Sequence, residues 1–226
     1  MGNMALVERS IETITHGRYL VEAPKAGLPV LVGFHGYAES AEVQFARLRS
    51  IEDSGRWVLL SIQGLHRFYR GRSNEVVASW MTKQDRELAI ADNTVYAARV
   101  INVVAKEYSC TNKLVLSGFS QGVAMAFRTA SGVERPVDGI IALGGDIPPE
   151  LDASRLSHVR AALLGRGNKD EWYTAEKLAV DERRLREAGV QVDLFSFDAA
   201  HEWTPEFSRA AARFLNSIYL LQRNIL

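Results

Sequence analysis

Short, continuously apolar runs alternate with longer helical patterns along most of this 226-residue chain. A strand that is apolar at every position must be covered on both faces, as in a parallel sheet with helices above and below it. The predicted strands occupy residues 29–34, 57–62, 113–117, 139–143, 160–165 and 191–197. The predicted helices lie near residues 39–53, 84–108, 121–131, 173–188 and 205–221. This alternation predicts an open α/β sheet, mostly parallel, with helices on both faces.

No internal repeat, low-complexity tract or linker divides the chain, so residues 1–226 are predicted to form a single domain. Residues 10–24 alternate between apolar and polar, which predicts an antiparallel hairpin at the edge of the sheet. Residues 63–83 show no clear period, and a loop of this length is usually functional or mobile. Its arginines and aromatic residues leave two interpretations open, a binding loop for an anionic or aromatic ligand and a solvated surface loop.

The composition excludes several function classes. Lys plus Arg and Asp plus Glu both number 27, whereas a general nucleic-acid or anionic-membrane binder would carry a basic excess. No apolar run reaches the roughly 18 residues of a membrane helix, and the N-terminus shows no signal-peptide pattern. Cys110 is the only cysteine, which excludes an internal disulfide and fits a reducing compartment. We therefore expect a cytoplasmic protein without a stable membrane anchor.

One short motif carries a specific chemical meaning. Residues 118–122, GFSQG, match G-x-S-x-G and lie between a predicted strand and a predicted helix, as this motif requires. Such a turn holds a serine in a strained conformation that projects its hydroxyl, and Gly118 and Gly122 keep side chains from colliding with nearby backbone. The pattern predicts Ser120 as a nucleophile. The alternative is a tight structural turn.

A serine nucleophile needs a base, which in this type of fold follows the serine in the chain. Only His158 and His201 do so. His158 precedes a strand and therefore enters the sheet at the opposite end. His201 follows a strand and lies at the carboxyl edge, where Ser120 also lies. We therefore predict His201 as the base, with a surface histidine as the alternative.

The acid that orients the base should lie in a loop after an intervening strand. Asp170 follows the strand at 160–165 and is favoured. The adjacent Glu171, Asp198 and a merely solvated loop carboxylate stay open as alternatives, although Asp198 is so close to His201 in sequence that it better suits a local turn.

Two backbone N–H groups are predicted to bind the oxyanion. One belongs to Gln121, which follows the nucleophile, and the other to Tyr37 in the segment HGYAES after the first core strand. His35 in that segment is interpreted as a structural hydrogen-bonding residue rather than a second base.

Together these segments make the chain resemble the phospholipase/carboxylesterase family, which includes acyl-protein thioesterases and small bacterial carboxylesterases. The resemblance covers residues 28–216 and rests on five segments: FHGYAES, ASW, LSGFSQGVA, GRGNKD and AAHEW. It implies the α/β-hydrolase fold, the triad Ser120, Asp170 and His201, oxyanion donors at Tyr37 and Gln121, and Trp80 as a residue lining the site or, equally, a core tryptophan. Family members usually carry glycine at the position of Ala38, and the proline-containing run that is usual after the next strand is absent here.

The sequence thus predicts a serine carboxylesterase that cleaves a small-molecule acyl ester or thioester; thioesterase and lysophospholipase activity stay open as variants of this prediction. No metal-ligand spacing or phosphate loop is visible, so neither a metal nor a cofactor is expected. The alternatives are the same machinery on a lactone, peptide or carbon–carbon bond, and a non-catalytic binding module. Relatives can be dimers, which leaves a homodimer open.

Overall fold

A computed structural model describes residues 6–220 of the chain. The strands are β1 (Arg18–Glu22), β2 (Val30–Phe34), β3 (Val58–Gln63), β4 (His66–Tyr69), β5 (Val76–Ser79), β6 (Leu114–Phe119), β7 (Gly139–Leu143), β8 (Ala161–Gly167) and β9 (Gln191–Phe197). Seven of them form a sheet in the order β1-β3-β2-β6-β7-β8-β9. β1 pairs antiparallel with β3, and the other pairs in this sheet are parallel. The mostly parallel sheet predicted from the sequence is confirmed.

Helices cover both faces of the sheet. They are α1 (Ala41–Ser50), α2 (Arg86–Glu107), α3 (Gln121–Gly132), α4 (Ala153–Leu156), α5 (Ala175–Glu187) and α6 (Pro205–Leu220), with a short 3₁₀ turn at Ser54–Arg56. Successive side chains of a strand point to opposite faces. Val32 therefore contributes to the core under α2, α3 and α5, while its neighbour Leu31 contributes to the core under α1 and α6. Because both faces are covered, the apolar residues of β2, β3, β6 and β7 are buried at every position.

Two local predictions were wrong. Residues 10–24 form no hairpin; the described part of this segment contains only β1, which pairs with β3. Residues 63–83 are not an irregular loop. They contain β4 and β5, which pair antiparallel and form a separate two-stranded ribbon. Each strand of this ribbon has only four residues, too few for a recognisable alternation. The predicted final helix is observed, but Leu221 lies outside the described residues.

Within residues 6–220, α2 is the one helix whose length and composition would allow it to cross a membrane. Its apolar residues Ala97, Ile101 and Val104 are buried in the core. Core helices of this kind pass the same length and composition test, so this is weak evidence for a membrane span.

The parallel strands bring the predicted site residues to one edge. Tyr37 follows β2, Ser120 follows β6, Asp170 follows β8 and His201 follows β9. Since these strands run in the same direction, their carboxyl ends meet at the same side of the sheet, where ligand sites of open α/β sheets lie.

Candidate active site

Ser120 occupies a strained turn between β6 and α3. Its backbone has φ 53° and ψ −121°, a conformation that a residue with a side chain rarely adopts. The turn is fixed on both sides, because the Ser120 N–H donates to the Leu143 carbonyl at 2.9 Å and its carbonyl accepts from the Val123 N–H at 3.0 Å. The strained serine between strand and helix is thus present as the motif predicted.

The flanking glycines give this turn its room. A Cβ atom at Gly122 would lie 2.1 Å from the carbonyl oxygen of Phe34, and one at Gly118 would lie 2.5 Å from the carbonyl oxygen of Gly122. Both separations are far below van der Waals contact, and the obstructing atoms are backbone. The prediction that these glycines prevent collisions with backbone is confirmed.

His201 and Asp170 form a short hydrogen-bonded pair. His201 Nδ1 lies 2.7 Å from Asp170 Oδ2. Because an ionised carboxylate can only accept, Nδ1 is assigned the proton and Nε2 is left as the free acceptor of the ring. The ring of Phe119 packs against the imidazole at 4.9 Å between centroids. Asp170 therefore fixes both the orientation and the tautomer of His201.

The Asp170 carboxylate is buried and held on its other oxygen. Oδ1 accepts from the backbone N–H groups of Trp172 at 2.9 Å and Tyr173 at 3.0 Å. Of the alternative acids, Asp198 is exposed and pairs with Lys169 at 2.7 Å, and Glu171 is exposed. The structure therefore places Asp170, and neither alternative, against His201.

Ser120 and His201 line the same cavity, which has a volume of about 760 Å³. Among residues 6–220, no hydrogen bond joins the Ser120 hydroxyl to the imidazole. Bonds between a nucleophile and its base are often long before substrate binds and tighten in the complex. The arrangement brings a serine and an imidazole to one cavity, and a buried carboxylate orients the imidazole.

Tyr37 and Gln121 also line this cavity. Within the described part of the chain, neither backbone N–H has a hydrogen-bond partner in the protein. Gln121 is the first residue of α3, where N–H groups have no intrahelical acceptor and where the helix dipole favours negative charge. These two N–H groups are available to a ligand oxygen.

An ion pair between Glu39 and Arg47, which the sequence did not predict, holds the turn before Tyr37. Glu39 accepts from the Gly36 N–H at 2.7 Å and from both terminal nitrogens of Arg47 at 2.5 and 2.6 Å. Burial raises the pKa of the Glu39 carboxyl, but Arg47 and the Gly36 N–H outweigh burial and lower the pKa overall. The spacing of Glu39 and Arg47 is not a recognisable motif, so no sequence signal pointed to the pair.

His35 has a structural role. It is fully buried; its Nδ1 donates to the Gly36 carbonyl at 2.7 Å, and its Nε2 accepts from the Gly64 N–H at 3.0 Å. Burial lowers the pKa of this imidazole. With both ring nitrogens bonded to backbone, His35 is not a second base, as predicted.

Trp80 does not line the cavity. Its side chain is fully buried, stacks on His35 at 4.8 Å and donates to the His35 carbonyl at 2.8 Å. The implied role as a substrate-binding residue is therefore corrected, and the core interpretation of Trp80 holds. Its backbone N–H donates to the side-chain oxygen of Gln121 at 3.0 Å, which ties the start of α3 to the chain after β5.

Charged side chains form much of the remaining cavity wall. They are Lys83, Arg86, Arg128, Asp146 and Lys177. The sequence reading assigned none of them to the site, because they belong to segments far apart in the chain. Over residues 6–220, no group of three or more His, Cys, Asp or Glu side chains could hold a metal ion.

Comparisons with known proteins agree with this architecture. The solved structure of the esterase PE8 has a TM-score of 0.69 and 22% identity, covering 89% of this chain and 98% of that one. A carboxylesterase from Bacillus cereus has a TM-score of 0.70 and 16% identity, over 89% and 94% of the two chains. SOBER1 from Arabidopsis thaliana has a TM-score of 0.70 and 15% identity, over 85% and 100%. At these identities the likeness establishes the α/β-hydrolase fold.

A comparison with curated protein sequences found no match. The family model described as Phospholipase/Carboxylesterase matches residues 25–219, most of the chain. The sheet, the serine turn and the cavity at the carboxyl edge are consistent with that match. The chain therefore belongs to the phospholipase/carboxylesterase family, whose members are hydrolases of ester bonds.

Proposed function

We propose that this protein hydrolyses carboxylic esters or thioesters of small molecules through an acyl-enzyme intermediate on Ser120. The observation that carries the proposal is the 2.7 Å bond between Asp170 and His201, beside a cavity that also contains the strained Ser120 turn. A serine hydroxyl is a weak nucleophile at neutral pH, and an oriented imidazole is the usual means of activating it.

In the first half of the reaction, His201 Nε2 accepts the hydroxyl proton while Ser120 Oγ attacks the acyl carbonyl. The imidazolium that forms is stabilised by Asp170, which stays ionised. The tetrahedral intermediate then collapses: the bond to the alcohol or thiol breaks, and His201 donates its proton to that leaving group. The acyl group stays on Ser120.

In the second half, His201 removes a proton from a water molecule, whose oxygen attacks the acyl-enzyme carbonyl. The second tetrahedral intermediate releases the carboxylic acid, and the proton returns to Ser120 Oγ. Each step uses only protein groups, the substrate and water.

The carbonyl oxygen carries negative charge in both intermediates. The backbone N–H groups of Tyr37 and Gln121 are the proposed donors to that oxyanion, and the helix dipole of α3 adds favourable potential at Gln121. Removing one oxyanion donor typically costs about 2.7–4 kcal/mol of transition-state stabilisation, so two preorganised donors are a large part of the proposed rate enhancement.

A pair of serine variants tests the proposal. Ser120→Ala should lower kcat for p-nitrophenyl butyrate by at least about 10³-fold. Ser131→Ala is the matched control, because Ser131 lies on the same helix and its hydroxyl only caps the Arg128 carbonyl. Turnover by Ser120→Ala at the wild-type rate would refute the proposal. A panel of esters, thioesters and lactones with the wild-type protein then identifies the bond that is cleaved.

A further inference from the structure

The cavity beside Ser120 has a strongly cationic wall, although the whole chain carries no net charge. Lys83, Arg86, Arg128 and Lys177 line it, and Asp146 is the one carboxylate among the lining residues. Lys177 pairs with Asp146 at 3.2 Å. Arg128 pairs through Nε and Nη2 with Glu150, which lies outside the lining residues. Among the described residues, Lys83 and Arg86 have no ion-pair partner.

Two of these guanidinium groups converge on one neutral atom. Arg86 Nη1 lies 2.9 Å from the sulfur of Met81, and Arg128 Nη1 lies 3.5 Å from the same sulfur. A thioether is a weak acceptor, so both N–H groups keep most of their capacity to bind an oxygen. Arg128 is also buried, with its side chain 5% exposed, and the removal of water strengthens any charged hydrogen bond that it makes.

The two positive charges destabilise each other. Burial lowers the pKa of the Arg128 guanidinium, Glu150 opposes this, and Arg86 lowers the pKa further. The Arg128 guanidinium nevertheless stays charged at any ordinary pH. An anion between them would relieve this repulsion and satisfy the free N–H groups at the same time.

The position of the wall relative to Ser120 indicates where such an anion would sit on a substrate. Gln121, Ala124 and Arg128 line the cavity along one face of α3. At 1.5 Å per residue, Arg128 lies about 10 Å along the helix from the residue that follows the nucleophile. Because the Arg128 side chain itself spans part of that distance, a spacer of a few carbon atoms would join the scissile carbonyl to the anion.

We propose that the cavity selects esters that carry a carboxylate or phosphate group on the acyl or alcohol part, and that Arg86 and Arg128 bind this group. This inference rests on the proposed function, since the substrate is an ester cleaved at Ser120. It goes further by assigning the charge class of the substrate and the side chains that recognise it.

A binding experiment tests this proposal without requiring turnover. In the Ser120→Ala background, calorimetry compares monomethyl adipate and methyl 4-phosphooxybutanoate, which are anionic, with neutral dimethyl adipate. We expect at least one anionic ester to bind about tenfold or more tightly than dimethyl adipate at low ionic strength. Adding Arg86→Gln should abolish the difference, because an exposed partner of the pair is removed without disturbing the buried Arg128. A difference that persists with Arg86→Gln would overturn the proposal. Equal binding of all three esters would exclude an anion on the acyl part, and would overturn the proposal together with the absence of an alcohol-side preference in the kinetic test below.

Kinetics show which part of the substrate carries the charge. The p-nitrophenyl half-ester of adipate is compared with p-nitrophenyl methyl adipate for an acyl-side charge, and 4-acetoxybenzoate with its methyl ester for an alcohol-side charge. For each pair, the ratio is kcat/KM of the anionic ester divided by kcat/KM of the neutral ester. One of the two ratios should exceed one in the wild type, fall about tenfold in Arg86→Gln and decrease as the salt concentration is raised. Arg99→Gln is the control, since Arg99 is an exposed residue of the same helix that does not line the cavity. If both ratios are at or below one in the wild type, this inference is contradicted. If Ser120→Ala has at the same time lost all activity, the proposed function stays intact.

Discussion

The turn that carries Ser120 and the cationic wall of the same cavity are built in different ways. The turn is one continuous segment, β6 to α3. Its backbone is fixed by hydrogen bonds to Leu143 and Val123, and it contains two glycines at which a Cβ atom would collide with backbone. The wall is assembled from four separate segments: residues 81–86, the face of α3, residues 144–149 and the region from Trp172 to Lys177. The comparison teaches that the serine turn is specified by one local segment, whereas the cavity wall depends on long-range packing.

The largest expected effect concerns Asp170, the acid that orients His201 beside the Ser120 turn. Asp170→Asn keeps the shape of the acid but allows the amide to hold His201 in the wrong tautomer, so kcat/KM for a neutral ester should fall about 10³- to 10⁴-fold. Steady-state kinetics measure this loss. The control is Asp198→Asn, since Asp198 is exposed and pairs with Lys169. If the control lost as much activity as Asp170→Asn, the assignment of the acid would be wrong.

A matched pair of glycine substitutions separates the rigid turn from the ribbon of β4 and β5. Gly122→Ala should lower the free energy of unfolding by about 3 kcal/mol or more, because the new Cβ would meet backbone atoms 2.1 Å away. Gly71→Ala should lower the free energy of unfolding by only about 1 kcal/mol. Its new Cβ would lie in open space, so the loss comes only from the left-handed φ of +53°. Urea denaturation measures both. Equal losses would show that the turn is no more constrained than the ribbon.

The pH dependence of stability tests the role of Asp181, which holds two residues of the cavity wall, Ile147 and Tyr173. Asp181 is buried and accepts from the Ile147 N–H and the Tyr173 hydroxyl, both at 3.1 Å, while Tyr173 N–H in turn holds Asp170. Burial raises the pKa of Asp181 to about 6; these two hydrogen bonds and Arg184 oppose the rise, and Asp146 adds to it.

Because this pKa is higher in the folded state than the ordinary value of about 3.9, the folded protein binds the extra proton. Stability from this group is therefore fully present below about pH 4 and is lost as pH rises to about 6, by up to about 3 kcal/mol. Asp181→Asn removes that ionisation, so the variant should gain stability relative to the wild type as pH rises from 4 to 7. Thermal unfolding across this range measures the difference, with exposed Asp193→Asn as the control. A difference that does not change with pH would contradict this account.

The smallest effect concerns the turn that presents the Tyr37 N–H. Ala38 has a φ of 55°, a left-handed conformation that disfavours residues with a side chain and favours glycine. Ala38→Gly relieves this strain but adds freedom to the unfolded chain, so we expect a net gain of about 0.5–1 kcal/mol. Chemical denaturation would measure the gain, and a loss of stability would mean that the turn is not strained.

The sequence predicted the features that depend on short stretches. Continuously apolar runs identified the strands of the parallel sheet, and GFSQG located the strained turn at Ser120. The order of strands placed Asp170 and His201 at the same edge, and the structure joins them. Other features depend on side-chain contacts with no recognisable spacing: Arg47 binds Glu39, eight residues earlier, and Arg128 meets Arg86 at Met81 from a separate segment. No local pattern encodes these contacts. The hairpin predicted at residues 10–24 failed for the same reason, because β1 pairs with a distant strand.

Trapping the acyl-enzyme tests the central claim most directly. Wild-type protein is mixed with p-nitrophenyl butyrate, quenched in acid within the first turnover and examined by intact-protein and peptide mass spectrometry. The account predicts a single added butyryl group on the peptide that contains Ser120, and no added mass in Ser120→Ala. A butyryl group on another residue, or rapid ester hydrolysis by Ser120→Ala, would contradict it.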